Sequence, residues 1–196
     1  MKLIGLGCTA QVGKDTAAEY WEAKFPGEVK RVAFADKVKR TAMLVFDLSY
    51  EQCFGPKEIK EAVDPRWGKS PREIMQGIGD KMRQIHPMVW IDTVFYSTIP
   101  DLETEGFDTF VVSDVRYPNE GDKILDEGGF VIKVEREEGE VLVGADHPSE
   151  TAMKDYKRFT AVVENNGTFD EYFKKLDAVM EKINGQTDRE ERGNND

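Results

Sequence analysis

A mostly parallel β-sheet covered by helices on both faces is the fold class the sequence predicts. Three observations lead there: short apolar runs of strand length, helical segments alternating with them, and a glycine-containing turn joining the first run to the first helix. With 196 residues the chain suits one domain, because division would leave pieces too small to bury a good core. That domain is expected over 1–184, with a helical insert at about 49–105 and a polar, disordered tail over 185–196.

The first strand is Lys2 to Gly7, followed by a loop through Gly13 and a helix from Lys14 that carries Ala17, Ala18, Tyr20 and Trp21 near its start. Val29 to Phe34 reads as a second strand and Asp36 to Leu48 as a helix with Val38, Ala42, Met43, Val45 and Phe46 as its apolar members. A stretch without sheet character follows. Within it Ser70-Pro71-Arg72-Glu73 is a helix start: serine caps, proline suits the first turn, and glutamate three residues on completes a capping box. The helix is predicted to run to about Ile85, with Ile74, Met75, Ile78, Met82 and Ile85 on an apolar stripe and Arg72, Gln76, Asp80 and Arg83 on a polar one. A second helix is expected from Trp90 to about Asp101.

From Thr109 to Ser113 the pattern is a buried strand, ending at Asp114-Val115-Arg116. Pro118 to Leu125 reads as a helix, Gly129 to Val134 as a strand, Arg136 to His147 as a polar loop and Ala161 to Val163 as the last strand. Asn165-Asn166-Gly167 is a turn, and Thr168 with Glu171 forms a capping box that opens a helix bearing Phe169, Tyr172, Phe173, Leu176, Met180 and Ile183.

Composition narrows the function. A net charge of -11 repels a polyanion over most of the surface, which argues against nucleic-acid binding, so any anionic ligand must sit in a local basic site. No apolar run approaches the ~20 residues of a membrane helix, and the opening residues are too few and too glycine-rich for a signal sequence, so a cytoplasmic protein without membrane partners is expected. Of two cysteines, Cys8 lies in the first loop, so a structural disulfide is not expected and a reducing compartment fits. Neither His86 nor His147 has metal-ligand spacing.

The segment Gly7-Cys8-Thr9-Ala10-Gln11-Val12-Gly13-Lys14-Asp15-Thr16 lies between a strand and a helix, the context in which a phosphate-binding loop is expected. Loop amides there converge on phosphate, the helix N-terminus adds partial positive charge, and the lysine reaches the outer phosphates. Val12, Gly13, Lys14, Asp15 and Thr16 are thus the candidate nucleotide-binding set. Against G-x-x-x-x-G-K-[ST], the first glycine falls on Cys8, with Gly7 one residue early, and the hydroxyl position is Asp15. Aspartate supplies no hydroxyl to Mg²⁺, but a carboxylate can bind the metal through water, and Thr16 still offers an oxygen to the α-phosphate. The competing reading is a plain glycine turn with a solvated Lys14.

Asp114 ends a buried strand, on the edge where open α/β sheets bind ligands, and can hold the water shell of Mg²⁺. Arg116 can meet a phosphate oxygen or pair with a neighbouring carboxylate for structure alone. The polar stripe can equally be a solvated helix face. Trp67, Trp90, Tyr117 and Phe34 could stack on a base, although a core position is the ordinary explanation for each.

Together Gly13-Lys14-Asp15-Thr16, Ala35-Asp36-Lys37-Val38-Lys39-Arg40, Ser70 to Gln76, Val111 to Glu120 and His147-Pro148-Ser149-Glu150 resemble the bacteriophage deoxynucleoside monophosphate kinases. With the Asn165 to Thr168 turn, the likeness covers residue 13 almost to the C-terminus. The resemblance implies a P-loop nucleoside monophosphate kinase fold, ATP at Lys14 to Thr16, and a small-molecule monophosphate as acceptor. It places the acceptor motif on Arg72 for phosphate, Gln76 for the base edge and Asp80, with Asp36 and Arg40 as cleft residues and Arg116 as a second phosphate ligand. Lys14, Asp15 and Arg136 would carry the catalytic step, and Asp15 and Asp114 the Mg²⁺.

Kinases of this kind close a lid bearing cations. The segment 136–147 is the candidate, but Arg136 is its only arginine, beside Glu135, Glu137, Glu138 and Glu140, and a plain acidic loop is the alternative. Other readings are a kinase acting on another small molecule, such as dephospho-coenzyme A, and a non-catalytic nucleotide-binding protein. A guanine-nucleotide switch would need an Asn-Lys-x-Asp segment, which is absent. A homodimer is the base-rate expectation, and the host cytoplasm the expected location for a chain of phage origin.

Overall fold

The computed structural model describes residues 1–7, 12–137 and 148–193. The chain divides into two units, Met1–Arg31 with Glu103–Asp196, and Val32–Leu102. The helical unit thus begins earlier than the insert expected at 49–105.

In the first unit the strands are β1 (Lys2–Gly7), β2 (Val29–Val32), β3 (Thr109–Val115), β4 (Phe130–Glu135) and β5 (Ala161–Glu164), in the sheet order β2-β3-β1-β4-β5. β1 pairs in parallel with β3 and with β4, setting Ile4 beside Val111 and Phe130, and β4 pairs in parallel with β5. Their helices are α1 (Lys14–Lys24), α8 (Pro118–Asp126), the short α9 (Pro148–Thr151) and α10 (Phe169–Gly193).

Successive side chains of a strand point to opposite faces, and β1 uses this. Ile4 and Leu6 pack with Ala17, Ala18 and Trp21 of α1 and with Tyr172, Leu176, Met180 and Ile183 of α10. On the other face, after Leu3, come two glycines where other chain segments press on the backbone. A Cβ at Gly5 would run into Ile124 of α8, and one at Gly7 would meet Phe159. Gly7 is therefore a packing glycine at the end of β1.

α10 opens with the expected box, in which Glu171 Oε2 accepts from the Thr168 N–H (2.8 Å) and Thr168 Oγ1 from the Glu171 N–H (3.3 Å). It then continues to Gly193, past the point where a polar tail was predicted. Helical segments rich in Glu, Lys, Gln and Arg continue readily from a packed first half, because these residues have high helix propensity.

The second unit contains α2 (Ala35–Phe46), α3 (Tyr50–Phe54), α4 (Lys57–Glu61), α5 (Pro71–Ile85) and α6 (Val89–Thr93), then a π-helical turn at Val94–Thr98 that leads into α7 (Ile99–Thr104). Ala42, Leu48, Cys53 and Ile74 form a small core. The Ser70/Glu73 box starts α5 as the sequence predicts, and a Ser49/Gln52 box starts α3 at the head of the insert expected to be helical.

The predicted helix over Trp90 to Asp101 is interrupted by that π turn. Pro100 has no N–H for the carbonyl four residues back, which disfavours regular α winding there. The Ile99 N–H donates to Val94 O, five residues back, and the Thr98 hydroxyl to Thr93 O at 3.4 Å. Ile85 also departs from expectation: it is 77% exposed, because the helix ends on it and the apolar stripe stops at Met82.

Between α4 and α5, Asp64 organises the loop. Its carboxylate accepts from Arg66 Nη2 (2.6 Å), the Arg66 backbone N–H (3.0 Å) and Gln52 Nε2 (3.0 Å). The Arg66 hydrogen bonds, followed by that of Gln52, hold its pKa far below the usual carboxylate range. Among the described residues no helix is long and apolar enough to cross a membrane.

Candidate active site

The first unit presents the candidate nucleotide-binding residues where β1 gives way to α1. Gly13 has φ 100°, a left-handed conformation that a residue with a Cβ avoids, and it stands at the N-cap of α1 with no side chain capping the helix. The first-turn amides have no partner within the helix and carry its partial positive charge. Lys14 follows at once and is only 6% exposed. Asp15 and Thr16 complete the first turn, and Cys8 to Gln11 lie outside the described residues.

Asp15 has a partner that the sequence did not suggest. Arg31, on β2, donates from Nη2 to Asp15 Oδ1 at 2.8 Å and from Nε to the buried Ser113 Oγ at 3.1 Å. One guanidinium thus links β2, β3 and α1 and balances the carboxylate that replaces the usual hydroxyl. The Asp15 side chain nevertheless stays 71% exposed.

Two further tethers hold the end of the loop. Asn165, just after β5, donates from Nδ2 to Val12 O at 2.9 Å. The Tyr172 hydroxyl donates to Gly13 O at 3.0 Å from the first turns of α10. Burial pushes the Tyr172 phenol well above its ordinary pKa, so it remains a donor.

Asp114 lies half-buried near the end of β3, next to Ser113. Beyond it, the Glu120 carboxylate accepts from the backbone N–H groups of Arg116 (2.7 Å) and Tyr117 (3.1 Å), fixing the chain as it enters α8. Arg136 is exposed just after β4, and residues 138–147, the rest of the candidate lid with His147, lie outside the described residues.

In the helical unit, α5 carries Arg72, Gln76, Asp80 and Arg83, all half-buried, so the polar stripe is more enclosed than a solvated face. Arg72 Nε stands 3.3 Å from Glu61 Oε1 of α4. Both atoms are buried, and the pair lacks hydrogen-bond alignment. Asp80 pairs loosely with Arg83 Nη1 at 3.5 Å, and on α2 Asp36 pairs with Lys39 at 3.0 Å while Arg40 is exposed. Of the candidate stacking residues, Phe34 and Trp90 are core, the latter donating from Nε1 to Gly79 O at 3.1 Å. Trp67 is partly exposed, edge-on to Phe46.

A family model described as deoxynucleotide monophosphate kinase matches residues 47–176. A putative deoxynucleotide monophosphate kinase of Acanthamoeba polyphaga mimivirus is 32% identical over 191 residues, which is 90% of this chain and 94% of that protein. The chain belongs to the deoxynucleotide monophosphate kinase family. The deoxynucleoside-5'-monophosphate kinase of Escherichia phage T5 is 32% identical over a shorter stretch, 43% of this chain and 35% of its own length. Among solved structures, the dephospho-CoA kinase of Campylobacter jejuni superposes with a TM-score of 0.52 over 95% of this chain and all of that one, at 18% identity, a likeness of fold.

The family match spans Arg72, Gln76, Asp80, Asp114, Arg116, Arg136, Asn165 and Tyr172 and begins after the loop that precedes α1. The donors at the head of α1 fit a polyphosphate: uncapped amides, a left-handed glycine and a buried lysine. Asp15 and Asp114 offer the hard oxygen ligands that Mg²⁺ takes. No cluster of three metal-ligating side chains occurs among the described residues.

Arg31, Asn165 and Tyr172 escape a sequence reading as functional residues for one reason. Each reaches this region from another element, Arg31 from β2 to Asp15 and Asn165 and Tyr172 from near the start of α10 to Val12 and Gly13, and only the Asn165-Asn166-Gly167 turn leaves a local trace in the sequence.

Proposed function

We propose that the protein transfers the γ-phosphoryl group of ATP to a deoxynucleoside 5'-monophosphate, producing the diphosphate and ADP. The observation that carries this reading is the buried Lys14 placed directly after a left-handed glycine at the uncapped N-terminus of α1, in a chain of this family.

In the proposed chemistry an anionic oxygen of the acceptor phosphate bonds to the γ-phosphorus as the bond to the β–γ bridging oxygen breaks, and ADP leaves with that electron pair. The attacking oxygen carries no proton at neutral pH, so no strong general base is required. Catalysis then rests on positioning and charge neutralisation. Lys14 binds β- and γ-phosphate oxygens and Thr16 an α-phosphate oxygen. Arg72 and Arg116 bind the acceptor phosphate, Gln76 presents its amide to the base edge, and Asp80, Asp36 and Arg40 complete the acceptor surroundings. Arg136 is the closing cation. Asp15 and Asp114 would hold Mg²⁺ through water, and the cation would neutralise charge on the transferring group.

The loose Arg72–Glu61 pair supports its role: a guanidinium without aligned partners gains two strong hydrogen bonds when a phosphate arrives. The decisive experiment is a coupled assay of ADP release with ATP, Mg²⁺ and each common deoxynucleoside and ribonucleoside monophosphate, alongside dephospho-coenzyme A. Turnover with one or more deoxynucleoside monophosphates is expected. Turnover confined to dephospho-coenzyme A would replace this reading with that of a coenzyme kinase, and ATP binding without transfer to any acceptor would leave only a nucleotide-binding protein.

A further inference from the structure

We infer that Asn165 and Tyr172 are positioning residues for the phosphate loop: by gripping the carbonyls of Val12 and Gly13 from one side, they turn the Gly13 and Lys14 amides toward the triphosphate on the other. The inference rests on the assignment of the nucleotide to this loop and adds two residues to it.

The physical basis is the planarity of the peptide group. In a trans peptide the C=O of one residue and the N–H of the next lie in one plane and point in opposite directions. The Val12 carbonyl accepts from Asn165 Nδ2 at 2.9 Å, so the Gly13 N–H faces away from Asn165. The Gly13 carbonyl accepts from the Tyr172 hydroxyl at 3.0 Å and from the Ala17 N–H at 3.0 Å, so the Lys14 N–H faces away from Tyr172. These are the two peptide groups immediately ahead of the lysine side chain.

The anchors are themselves anchored. The Asn165 N–H donates to Glu135 O at 2.7 Å, extending the β4–β5 pairing by one bond. The next side chain, Asn166, accepts from the Glu137 N–H through Oδ1 at 2.8 Å. Tyr172 is 1% exposed in the core between α10 and the sheet, and its N–H donates to Thr168 O at 3.0 Å within the capped first turn. Asn165 also lies where a side chain at position 13 would have to go, since a Cβ on Gly13 would collide with its Nδ2. The left-handed backbone of Gly13 and the seat of Asn165 are thus two parts of one arrangement.

Tyr172→Phe removes the hydroxyl and keeps the ring in the core. Asn165→Asp keeps the shape but sets a carboxylate oxygen against the Val12 carbonyl, and Asn165→Ala removes the donor. ATP affinity by isothermal titration, KM and kcat for both substrates, and melting temperature would be measured for each. Tyr172→Phe should weaken ATP binding about three- to tenfold, the size of one lost hydrogen bond, and Asn165→Asp should weaken it more. The KM for the monophosphate should stay within about twofold of wild type in both.

Folded variants whose ATP affinity and kcat/KM for ATP stay within about twofold of wild type, with only the melting temperature lowered, would overturn the inference and leave both residues purely structural. So would a rise in KM for the monophosphate equal to that for ATP. Should Asn165→Asp fail to fold, Tyr172→Phe decides alone. The titration needs no acceptor. A wild type that binds ATP yet phosphorylates no monophosphate would therefore overturn the proposed activity while the variants still decided the role of these two residues, whereas a wild type that does not bind ATP would overturn both.

Discussion

The two units hold their candidate residues in different ways. At the head of α1 the loop is tied by hydrogen bonds that reach across 153 and 159 residues of sequence, from the turn after β5 and from α10, and Asp15 by a bond across 16 from β2. On α2 and α5 the candidate charges are held mostly by neighbours three residues away on the same helix, or by the unaligned contact of Arg72 with Glu61. Partly exposed ion pairs three residues apart on a helix are worth only about 0.2–1 kcal/mol. On the proposed assignment the difference is a division of labour: a pre-arranged grip for the triphosphate that all acceptors share, and more loosely held side chains where the acceptor must be admitted, read and released.

Lys14→Ala tests the rigid side and should have the largest effect. Loss of its charge-assisted contacts should lower kcat/KM by about 10³-fold, the upper range for removing one transition-state donor. Circular dichroism and melting should show a folded protein, and a variant that keeps its turnover would remove the loop from the chemistry altogether. Arg72→Ala tests the exchangeable side. It should raise the KM for the monophosphate by about 10- to 100-fold, matching 1.5–3 kcal/mol for hydrogen bonds to a charged group, with the KM for ATP unchanged. Arg72→Lys should recover only part of this, because an ammonium cannot offer the paired donors of a guanidinium. An equal loss for ATP would erase the distinction between the two regions.

Asp64→Asn sharpens the contrast from within the helical unit, because Asp64 is a charge there that is held as firmly as those of the loop. Its folded-state pKa lies below the unfolded value, so its stabilisation is complete above about pH 4 and fades as pH falls through the lowered folded-state value. Urea midpoints of wild type and variant should differ at about pH 7 and converge as pH is lowered below about 4. The two KM values should hardly move. A constant offset across that range would show that geometry, and not the carboxylate charge, accounts for the effect.

Much of this arrangement is legible in the residues themselves. Five strands, the crossover helices and the Ser70/Glu73 and Thr168/Glu171 boxes follow from periodicity and capping chemistry, both of which are local. So does the placing of Lys14 at a helix N-terminus and of Arg72, Gln76 and Asp80 on one stripe. What escapes is set by packing between distant segments. In the sequence Gly7 looks like a misplaced loop glycine, and only the fold shows Phe159 pressing on it. Tyr172 looks like one more core aromatic, because a hydroxyl bond to Gly13 leaves no periodic mark. The π turn before Pro100 and the exposure of Ile85 have local causes instead, the missing N–H of the proline and the end of α5.

The reach of the Tyr172 and Asn165 bonds bears on biosynthesis. The stretch Gly13-Lys14-Asp15-Thr16 leaves the ribosome long before the groups that clamp it. A nascent chain stopped short of Asn165 would display every residue of the nucleotide motif with neither clamp in place, so productive ATP capture would wait until synthesis has passed the start of α10.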